Sequence, residues 1–315
     1  METLSTGSKL LQLRPNSLER ARREVGLDQP GRMKEAVEIL EAWIQKQHHF
    51  RKKDFSKHYL ETTLLGSKGS IERAKRTLDR MCTLRSLLPQ FFGNFNCKKD
   101  FGNLFEIVTP TILPKFTEEH YRIFWIKIHN KHYEPSQFMD YYRYNIIVSE
   151  YLKVHDYACG FRIVADFSES NVLDFITKSG IVEMRQALAI YMEGFAMRIK
   201  GIHVITPSKL VDTLVSILKQ VLNPKVAGRL HIHKTVEEVF PYVPQELLPA
   251  EYGGKERPMQ QILSKKTVHL IFSDEHMSYM RDINSAVTDE ACRQRDKFNE
   301  EYAGMPGTFR VLSVD

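Results

Sequence analysis

Four cationic side chains flank one strongly apolar stretch of the sequence, and together they offer the chemistry for holding an anion. Arg198 and Lys200 precede the stretch, and Lys225 and Arg229 follow it. Arg198 and Lys200 are two residues apart on a predicted strand, so strand alternation places them on one face. A basic side chain near a charged membrane contributes roughly 1 kcal/mol to binding. The four positions therefore indicate a candidate site for an anionic lipid.

The apolar stretch between these cations predicts a helix over residues 208–222. Eight of the 13 residues from 210 to 222 are apolar, a wider face than a surface helix needs: Leu210, Val211, Leu214, Val215, Ile217, Leu218, Val221 and Leu222. Two interpretations remain open for this helix. It is either an ordinary buried crossover helix, or a mobile lid over an apolar cavity that can touch a membrane.

The sequence contains no strong catalytic motif. The Gly-rich segment 66–70 follows a predicted helix rather than a strand, so it is a turn and not a phosphate loop. His231 and His233 share a strand face, but no further ligand stands at metal spacing. Asp166 ends a predicted strand, where an aspartate commonly caps a turn. No G-x-S-x-G nucleophile motif is present, and we expect a protein that is not an enzyme and carries neither a metal nor a cofactor.

Composition narrows the class of protein. The chain has 315 residues, and its formal net charge is +6. At roughly 150 residues a domain, this length predicts two domains. Residues 1–100 hold 20 basic and 12 acidic residues, which suits a membrane surface, a nucleic acid or an acidic protein equally well. With neither a secretory signal nor about 18 consecutive apolar residues, we expect a soluble, cytoplasmic protein.

Periodicity predicts an N-terminal helical bundle followed by an α/β unit. The bundle has predicted helices at residues 30–49, 56–65 and 70–88. Predicted strands at 121–128, 161–167, 199–205 and 229–232 then alternate with predicted helices at 136–155, 181–195 and 208–222, a pattern typical of a mostly parallel sheet. Two more helices are expected at 258–282 and 284–302. The expected division is an N-terminal extension (1–29), a helical domain (30–95), an α/β domain (96–257) and a C-terminal helical extension (258–315).

Four segments in this order resemble one known family. They are GFRIVADF at 160–167, FAMRIKGIHVITP at 195–207, PKVAGRLHIH at 224–233 and LPAEYGG at 248–254. Together they are similar to the CRAL-TRIO lipid-transfer family, and within it to the group of the alpha-tocopherol transfer protein and the cellular retinaldehyde-binding protein. The resemblance implies a helical N-terminal domain before a CRAL-TRIO-like lipid-binding domain, whose pocket lies between strands and a gate helix.

The resemblance also implies roles for particular residues. The gate helix would be residues 208–222, with Leu210, Val211, Leu214, Val215 and Leu218 on it. The phosphoinositide-binding positions would be Arg198, Lys200, Lys225 and Arg229. Ser149 falls where a tocopherol-binding relative has a serine near the ligand hydroxyl, although a bond back to a helix carbonyl is an equal alternative. The other pocket residues, assigned by segment, would be Tyr144, Phe167, Phe175, Ile190 and Leu214.

Two departures from the family pattern bear on these roles. Residues 195–196 are Phe-Ala where the family has an aromatic residue followed by proline. The family's basic-aromatic stretch between N-terminal helices is replaced here by Leu64-Leu65-Gly66-Ser67-Lys68. One cationic position used by relatives is therefore lost or shifted, which leaves the headgroup preference open.

The sequence thus favours a monomeric intracellular carrier, peripheral at membranes. It would bind one tocopherol, retinoid, carotenoid or similar lipid, and exchange it at phosphoinositide-containing membranes when the gate helix opens. The alternative is a lipid-sensing interaction module that does not transport its ligand. A nucleotide-dependent enzyme is disfavoured because residues 128–131 lack a Gly-rich turn. Nucleic-acid binding is disfavoured because the basic residues lack interleaved aromatic residues.

Overall fold

Four helices form the N-terminal part of the protein. The computed structural model describes residues 10–93, 95–129 and 131–293. The helices are α1 (Ser17–Glu24), α2 (Arg32–Gln45), α3 (Lys57–Gly66) and α4 (Ile71–Leu87). The predicted bundle is confirmed, and helix α1 adds to it from the segment expected to be an extension. The Ser56 and Ser70 hydroxyls cap α3 and α4 by accepting the backbone N–H of Tyr59 and Arg73.

A five-stranded sheet follows, after the short helices α5 (Cys97–Phe101) and α6 (Leu104–Ile107). Its strands are β1 (Val108–Ile112), β2 (Tyr121–Ile128), β3 (Gly160–Asp166), β4 (Ile199–Ile205) and β5 (Leu230–His233), in the order β1-β2-β3-β4-β5. Strands β2 to β5 are parallel, as expected, and β1 is antiparallel to β2. The sequence did not predict β1. It is a short edge strand that contains Pro110, a residue tolerated at an edge because no neighbour needs its N–H.

Each crossover between parallel strands is helical. Helix α7 (Pro135–His155) joins β2 to β3; α8 (Val172–Lys178), α9 (Ile181–Ala189) and a π turn (Ile190–Gly194) join β3 to β4; α10 (Val211–Val221) and α11 (Pro224–Ala227) join β4 to β5. The strands stand in sequence order and crossovers keep one hand, so these helices share one face of the sheet. One face of the sheet is therefore available for a site between strands and helices.

The opposite face of the sheet is closed by the chain after β5. Residues 236–262 fold over it, with Val239, Val243 and Leu248 fully buried against Ile123 and Trp125. Strand alternation separates the two faces, since Phe124, Ile126 and Ile128 of the same strand point toward the crossover helices. The sheet is thus packed on one side and lines a cavity on the other.

The C-terminal segment is broken into three helices, so the expected continuous helix over 258–282 is wrong. They are α12 (Met259–Ile262), α13 (Lys265–Ile271) and α14 (Asp274–Asn284). Ser264 and Ser273 cap the second and third by accepting backbone N–H groups, which favours a restart rather than continuation. Of the helix expected at 284–302, residues 284–293 form only a short 3-10 turn (Glu290–Cys292), and the remainder lies outside the described residues.

A buried ion pair joins the helical bundle to α7. Arg85 of α4 donates through Nη2 to Oε1 of Glu150 at 2.6 Å, and both side chains are almost wholly inaccessible. The hydroxyl of Tyr279 on α14 donates to the other carboxylate oxygen at 2.8 Å. Three segments that are distant in sequence therefore meet at one carboxylate.

We expect Glu150→Gln to lower the free energy of unfolding by about 3–5 kcal/mol, because it leaves the Arg85 charge buried without a counter-charge. Urea unfolding followed by tryptophan fluorescence measures this. Glu19→Gln is the matched control, since Glu19 pairs with Arg23 at 2.6 Å on the surface, where such a pair contributes at most about 1 kcal/mol. Equal losses in the two variants would contradict the importance assigned to the buried pair.

Three histidines stack on the face of the sheet away from the cavity. His203 of β4 lies between His231 and His233 of β5, with ring centroids 5.0 and 5.2 Å away, and Tyr242 covers the group. Nδ1 of His203 lies 3.0 Å from Nε2 of His233. Burial lowers the pKa of His203 to about 3, and the neighbouring His231, His233 and Arg162 lower it as well. His203 is therefore neutral in the folded protein at neutral pH.

This cluster predicts a loss of stability in acid. The pKa of His203 is lower in the folded chain than the value of about 6.5 in the unfolded chain, so the unfolded state binds the proton first. Stability is then complete above pH ~6.5 and falls below it, by at most about 1.4 kcal/mol per pH unit for one group. His203→Gln should make the plot of unfolding free energy against pH shallower between pH 6 and 4. Parallel plots for variant and parent would contradict this.

Candidate functional site

An apolar cavity of about 260 Å³ lies between the sheet and the crossover helices. The strands form its floor, with Phe124, Ile126, Phe161, Ile163, Ala165, Ile202 and Val204 among the lining residues. Phe175 of α8, Ala187 of α9, Tyr191 of the π turn and Leu218 of α10 line its other walls. Among the described residues, no lining side chain carries a formal charge. Such a cavity accepts an uncharged, apolar molecule or molecular segment.

Four polar side chains of the cavity form a row on helix α7. Gln137, Tyr141, Asn145 and Ser149 follow one another at four-residue spacing, so that each lies about one helical turn beyond the one before. Asn145 donates from Nδ2 to the carbonyl of Tyr141 at 2.8 Å, and Ser149 donates to the carbonyl of Asn145 at 2.6 Å. These bonds within the helix leave acceptor lone pairs on the side chains facing the cavity.

Helix α10 forms a wall between the cavity and solvent. Leu218 and Leu222 line the cavity, while Asp212, Thr213 and other residues on the opposite face are exposed. The helix packs on α8 and α9. It is bounded by the exposed Pro207 before it and the exposed Asn223-Pro224 after it. Helix α10 is therefore amphipathic, and exposed connections precede and follow it.

A basic cleft opens beside α10, between the helical bundle and the α/β part. Eight of its described lining residues are cationic: Lys68, Arg73, Arg76, Arg80, Arg198, Lys200, Lys225 and Arg229. One carboxylate, that of Glu193, also lines it and pairs with Arg80 at 2.5 Å. Arg198 pairs with Glu24 of α1 at 3.0 Å. The cleft therefore holds more cations than its neighbouring carboxylates neutralise.

The electrostatics of Lys68 show the effect of this excess. Repulsion from Lys225 lowers the pKa of Lys68, and burial, Arg198, Arg73 and Lys200 lower it further. Lys68 lies in the turn after α3 with a φ of 58°, a left-handed conformation that few residues other than glycine adopt. An anion in the cleft would relieve this repulsion.

A smaller chamber of about 80 Å³ lies between the cavity and the cleft. It shares Ser149, Phe161 and Met197 with the cavity, and Gly66, Ala196 and Arg198 with the cleft. Lys153, the next residue in the polar row of α7, lines this chamber. The chamber is the point at which the apolar and the basic sites approach each other.

Comparison with known proteins identifies this architecture. A family model described as the CRAL/TRIO domain matches residues 109–254, and one described as a Pinta-like UBA domain matches residues 29–100. The α/β part of the chain, over residues 109–254, is therefore similar to the CRAL/TRIO domain. The cavity, its sheet and α10 all lie within the CRAL/TRIO match, whereas the cleft also takes cations from the helical match.

Three curated proteins that are similar to this chain have the name alpha-tocopherol transfer protein-like. The mouse protein is 23% identical over 227 residues, which cover 69% of this chain and 64% of the mouse protein. The Homo sapiens and Pongo abelii proteins are each 29% identical over 96 residues, which cover 30% of this chain and 28% of the relative. The matches thus span less than two thirds of these relatives' lengths. The crystal structure of Sfh5 has the same fold, with a TM-score of 0.50 at 10% identity over 86% of this chain and 98% of Sfh5.

The expected pocket residues of the CRAL-TRIO domain do not all face the cavity. Ser149, Phe167 and Phe175 line it. Tyr144, Ile190 and Leu214 are buried but do not line it. Tyr144 lies on another side of α7 from the polar row, because each residue of a helix is rotated by about 100° from the one before it. Its ring stacks on Phe272. Leu214 is fully buried one turn before Leu218 on α10, but it does not line the cavity.

The other expected residues line the basic cleft or lie on and beside α10. All four expected cations, Arg198, Lys200, Lys225 and Arg229, line the one basic cleft. Of the expected gate-helix residues, Leu218 lines the cavity, Val211 and Val215 are half-buried, and Leu210 is 36% exposed.

Several residues that line the cleft or the cavity were not predicted from the sequence. Lys68, Arg73, Arg76 and Arg80 line the cleft from the bundle, the region in which one cationic position was expected to be lost or shifted. The four-residue spacing of Gln137, Tyr141, Asn145 and Ser149 was a signal in the sequence for the polar row. Within the described ranges, no group of three His, Cys, Asp or Glu side chains has the arrangement to hold a metal ion. In the same ranges, no helix is long and apolar enough to cross a bilayer.

Filling the cavity should abolish uptake of an apolar ligand. Ala165 is half-buried on β3 and lines the cavity, so Ala165→Phe places a ring in the space that a ligand would occupy. We expect the affinity for a fluorescent apolar probe to fall by at least about tenfold, or 1.4 kcal/mol. Ser285→Phe, at an exposed position outside the cavity, is the control and should bind as the parent does. Unchanged binding by a folded Ala165→Phe variant would place the probe elsewhere.

Proposed function

We propose that the protein is a non-enzymatic carrier, which binds one hydrophobic molecule in the cavity and exchanges it at phosphoinositide-containing membranes when α10 opens. A tocopherol, a retinoid, a carotenoid or a similar lipid is the ligand class, in keeping with the names of the relatives. The proposal rests mainly on one observation. The uncharged cavity and the strongly basic cleft lie on either side of the same short segment, α10 and α11.

Burial in the cavity supplies the binding free energy. Each CH₂ group moved from water into an apolar environment contributes about 0.8 kcal/mol. The cavity wall is almost entirely aliphatic and aromatic, and its few polar groups are largely bonded within α7. A lipid therefore loses water without facing an unpaired charge.

Opening of α10 gives the ligand a route to a membrane. The helices around it carry exposed apolar side chains: Leu173 of α8 is 57% exposed, Val182 of α9 is 50% exposed and Leu210 is 36% exposed. Since α10 packs on α8 and α9, these side chains belong to one group of helices. A bilayer would cover them, and would also cover the apolar face that α10 exposes when it swings out.

Anionic lipid in the cleft would favour the open state only if it binds that state more tightly. Lys225 and Arg229 directly follow α10 and line the cleft, so a headgroup held there acts close to the end of the moving helix. Arg229 also donates from Nη1 to the carbonyl of Ile199, which ties the cleft to strand β4. A headgroup bound by Lys225 and Arg229 would therefore act on the segment that joins α10 to β5.

The proposal also covers the cellular location and the oligomeric state of the protein. We place the carrier in the cytoplasm as a monomer that attaches peripherally to membranes. Cys82 and Cys159 are buried as free thiols, as expected for a reducing compartment.

Charge reversal in the cleft tests the membrane step. Lys68→Glu combined with Lys225→Glu changes two exposed cations, so the fold and the cavity should be preserved. We expect transfer of a fluorescent apolar lipid from donor to phosphoinositide-containing acceptor vesicles to slow by at least about tenfold, since steering of this kind changes rates by 10–1000-fold. Transfer to neutral vesicles should change little. Lys34→Glu, on the exposed face of α2, is the control.

Three outcomes of this transfer experiment distinguish a lipid carrier from a lipid sensor. Slower transfer with normal ligand uptake supports the carrier. Equal transfer by variant, control and parent would contradict a role for the cleft. Ligand binding without any transfer by the parent protein would contradict transport and favour a lipid sensor.

A further inference from the structure

The polar row on α7 ends in a cation. Gln137, Tyr141, Asn145 and Ser149 line the cavity, and Lys153 continues the same four-residue spacing into the chamber. From Gln137 to Lys153 the helix rises about 24 Å, at about 1.5 Å per residue. At about 100° per residue the row also winds by about 160° around the helix, from the uncharged cavity to a charged group.

The ammonium of Lys153 is a half-buried cation without a carboxylate partner among the described residues. It donates to Oγ1 of Thr63 at 2.8 Å and lies 4.2 Å from the centre of the Tyr59 ring. The carboxylate of Glu150 is one helical turn away, but Arg85 and Tyr279 already occupy its oxygens. An ammonium has three N–H donors, so donor capacity remains. Burial lowers the pKa of Lys153 to about 8, which shows how little the surroundings compensate its charge.

A second donor in the chamber is also unsatisfied. Nε of Arg198 is buried and has no hydrogen-bond partner among the described residues, while Nη2 of the same side chain pairs with Glu24. The chamber's one carboxylate, Asp156, is neutralised by two hydrogen bonds from Arg122, of 2.7 and 2.9 Å. The chamber is thus lined by two cations that retain donor capacity, Lys153 and Arg198, and by one neutralised carboxylate, an arrangement that suits an anion.

The geometry points to an amphiphile with a carboxylate head as the ligand, with its apolar chain in the cavity and its carboxylate in the chamber beside Lys153 and Arg198. The chamber, at about 80 Å³, has room for several water-sized groups and so for a carboxylate. Ser149, Phe161 and Met197 border both spaces, so chain and head can lie on either side of them. This inference rests on the proposed function, because it assigns a class of ligand to the same cavity.

The test compares three molecules with the same chain: hexadecanoic acid, its methyl ester and hexadecan-1-ol. Each displaces a fluorescent apolar probe from the full-length protein at pH 7. We expect the acid to bind about tenfold more tightly than the ester, since charge-assisted hydrogen bonds are roughly twice as strong as neutral ones. Lys153→Met should bring the acid-to-ester ratio close to one. Lys153→Arg should retain most of the preference, and Lys57→Met, an exposed lysine of α3, is the matched control.

The outcomes separate this inference from the proposed function. Equal or weaker binding of the acid than of the ester by the parent protein would overturn the carboxylate assignment and leave the carrier intact. Failure of all three molecules, and of longer apolar lipids, to displace the probe would count against the carrier itself. If Lys153→Met does not fold, the ratio measured for the parent and for Lys153→Arg still decides the question. An undiminished ratio in folded Lys153→Met would exclude Lys153 as the partner of the carboxylate.

Discussion

The buried ion pair between Arg85 and Glu150 is the interaction on which the cavity depends, because it fixes helix α7 from the side facing away from the sheet. Most of the packing partners of α7 are other helices: α3, α5, α6, α13 and α14. Its C-terminal end is held by Asp156, which accepts two hydrogen bonds from Arg122 of β2. A crossover helix normally closes directly onto its sheet. Here the bundle and the C-terminal helices hold α7, so space remains between its inner face and the strands.

Local patterns were sufficient to predict most of the elements, and tertiary packing decided the rest. Strands β2 and β4 lie where alternation placed them, because β-branched and aromatic residues alternate there over seven or eight positions. Strand β1 is five residues long and contains proline, so alternation gave too little signal. The capped restarts at Ser264 and Ser273 divided a segment whose apolar spacing had suggested one helix. Within the site, side-chain direction was the difficulty: Ser149 lines the cavity, whereas Tyr144 of the same helix lines a separate, smaller pocket.

Basic residues from the first hundred positions contribute to a cleft whose other cations come much later in the sequence. Lys68 and Arg76 are about 130 residues before Arg198 in sequence, yet they line the same cleft. Net charge indicated an anionic partner but not its location, because location depends on how the bundle docks on the α/β part. The family pattern located the later cations but not the earlier ones, since the turn after α3 differs in sequence. Neither signal alone would have described the cleft.

The polar atoms around the cavity, rather than its apolar lining, must decide when a ligand is loaded and released. Burial of a CH₂ group is worth about as much in a bilayer as in a dry cavity, so the lining alone gives no preference between the two. A preference for the protein has to come from groups that a bilayer interior lacks, such as the row from Asn145 to Lys153 and the buried Nε of Arg198. Arg198 belongs to the chamber and to the cleft alike, so an anionic headgroup in the cleft would compete for the same cation as a polar ligand head. Competition of that kind would weaken ligand binding at an anionic membrane surface, which is where a carrier has to release its ligand.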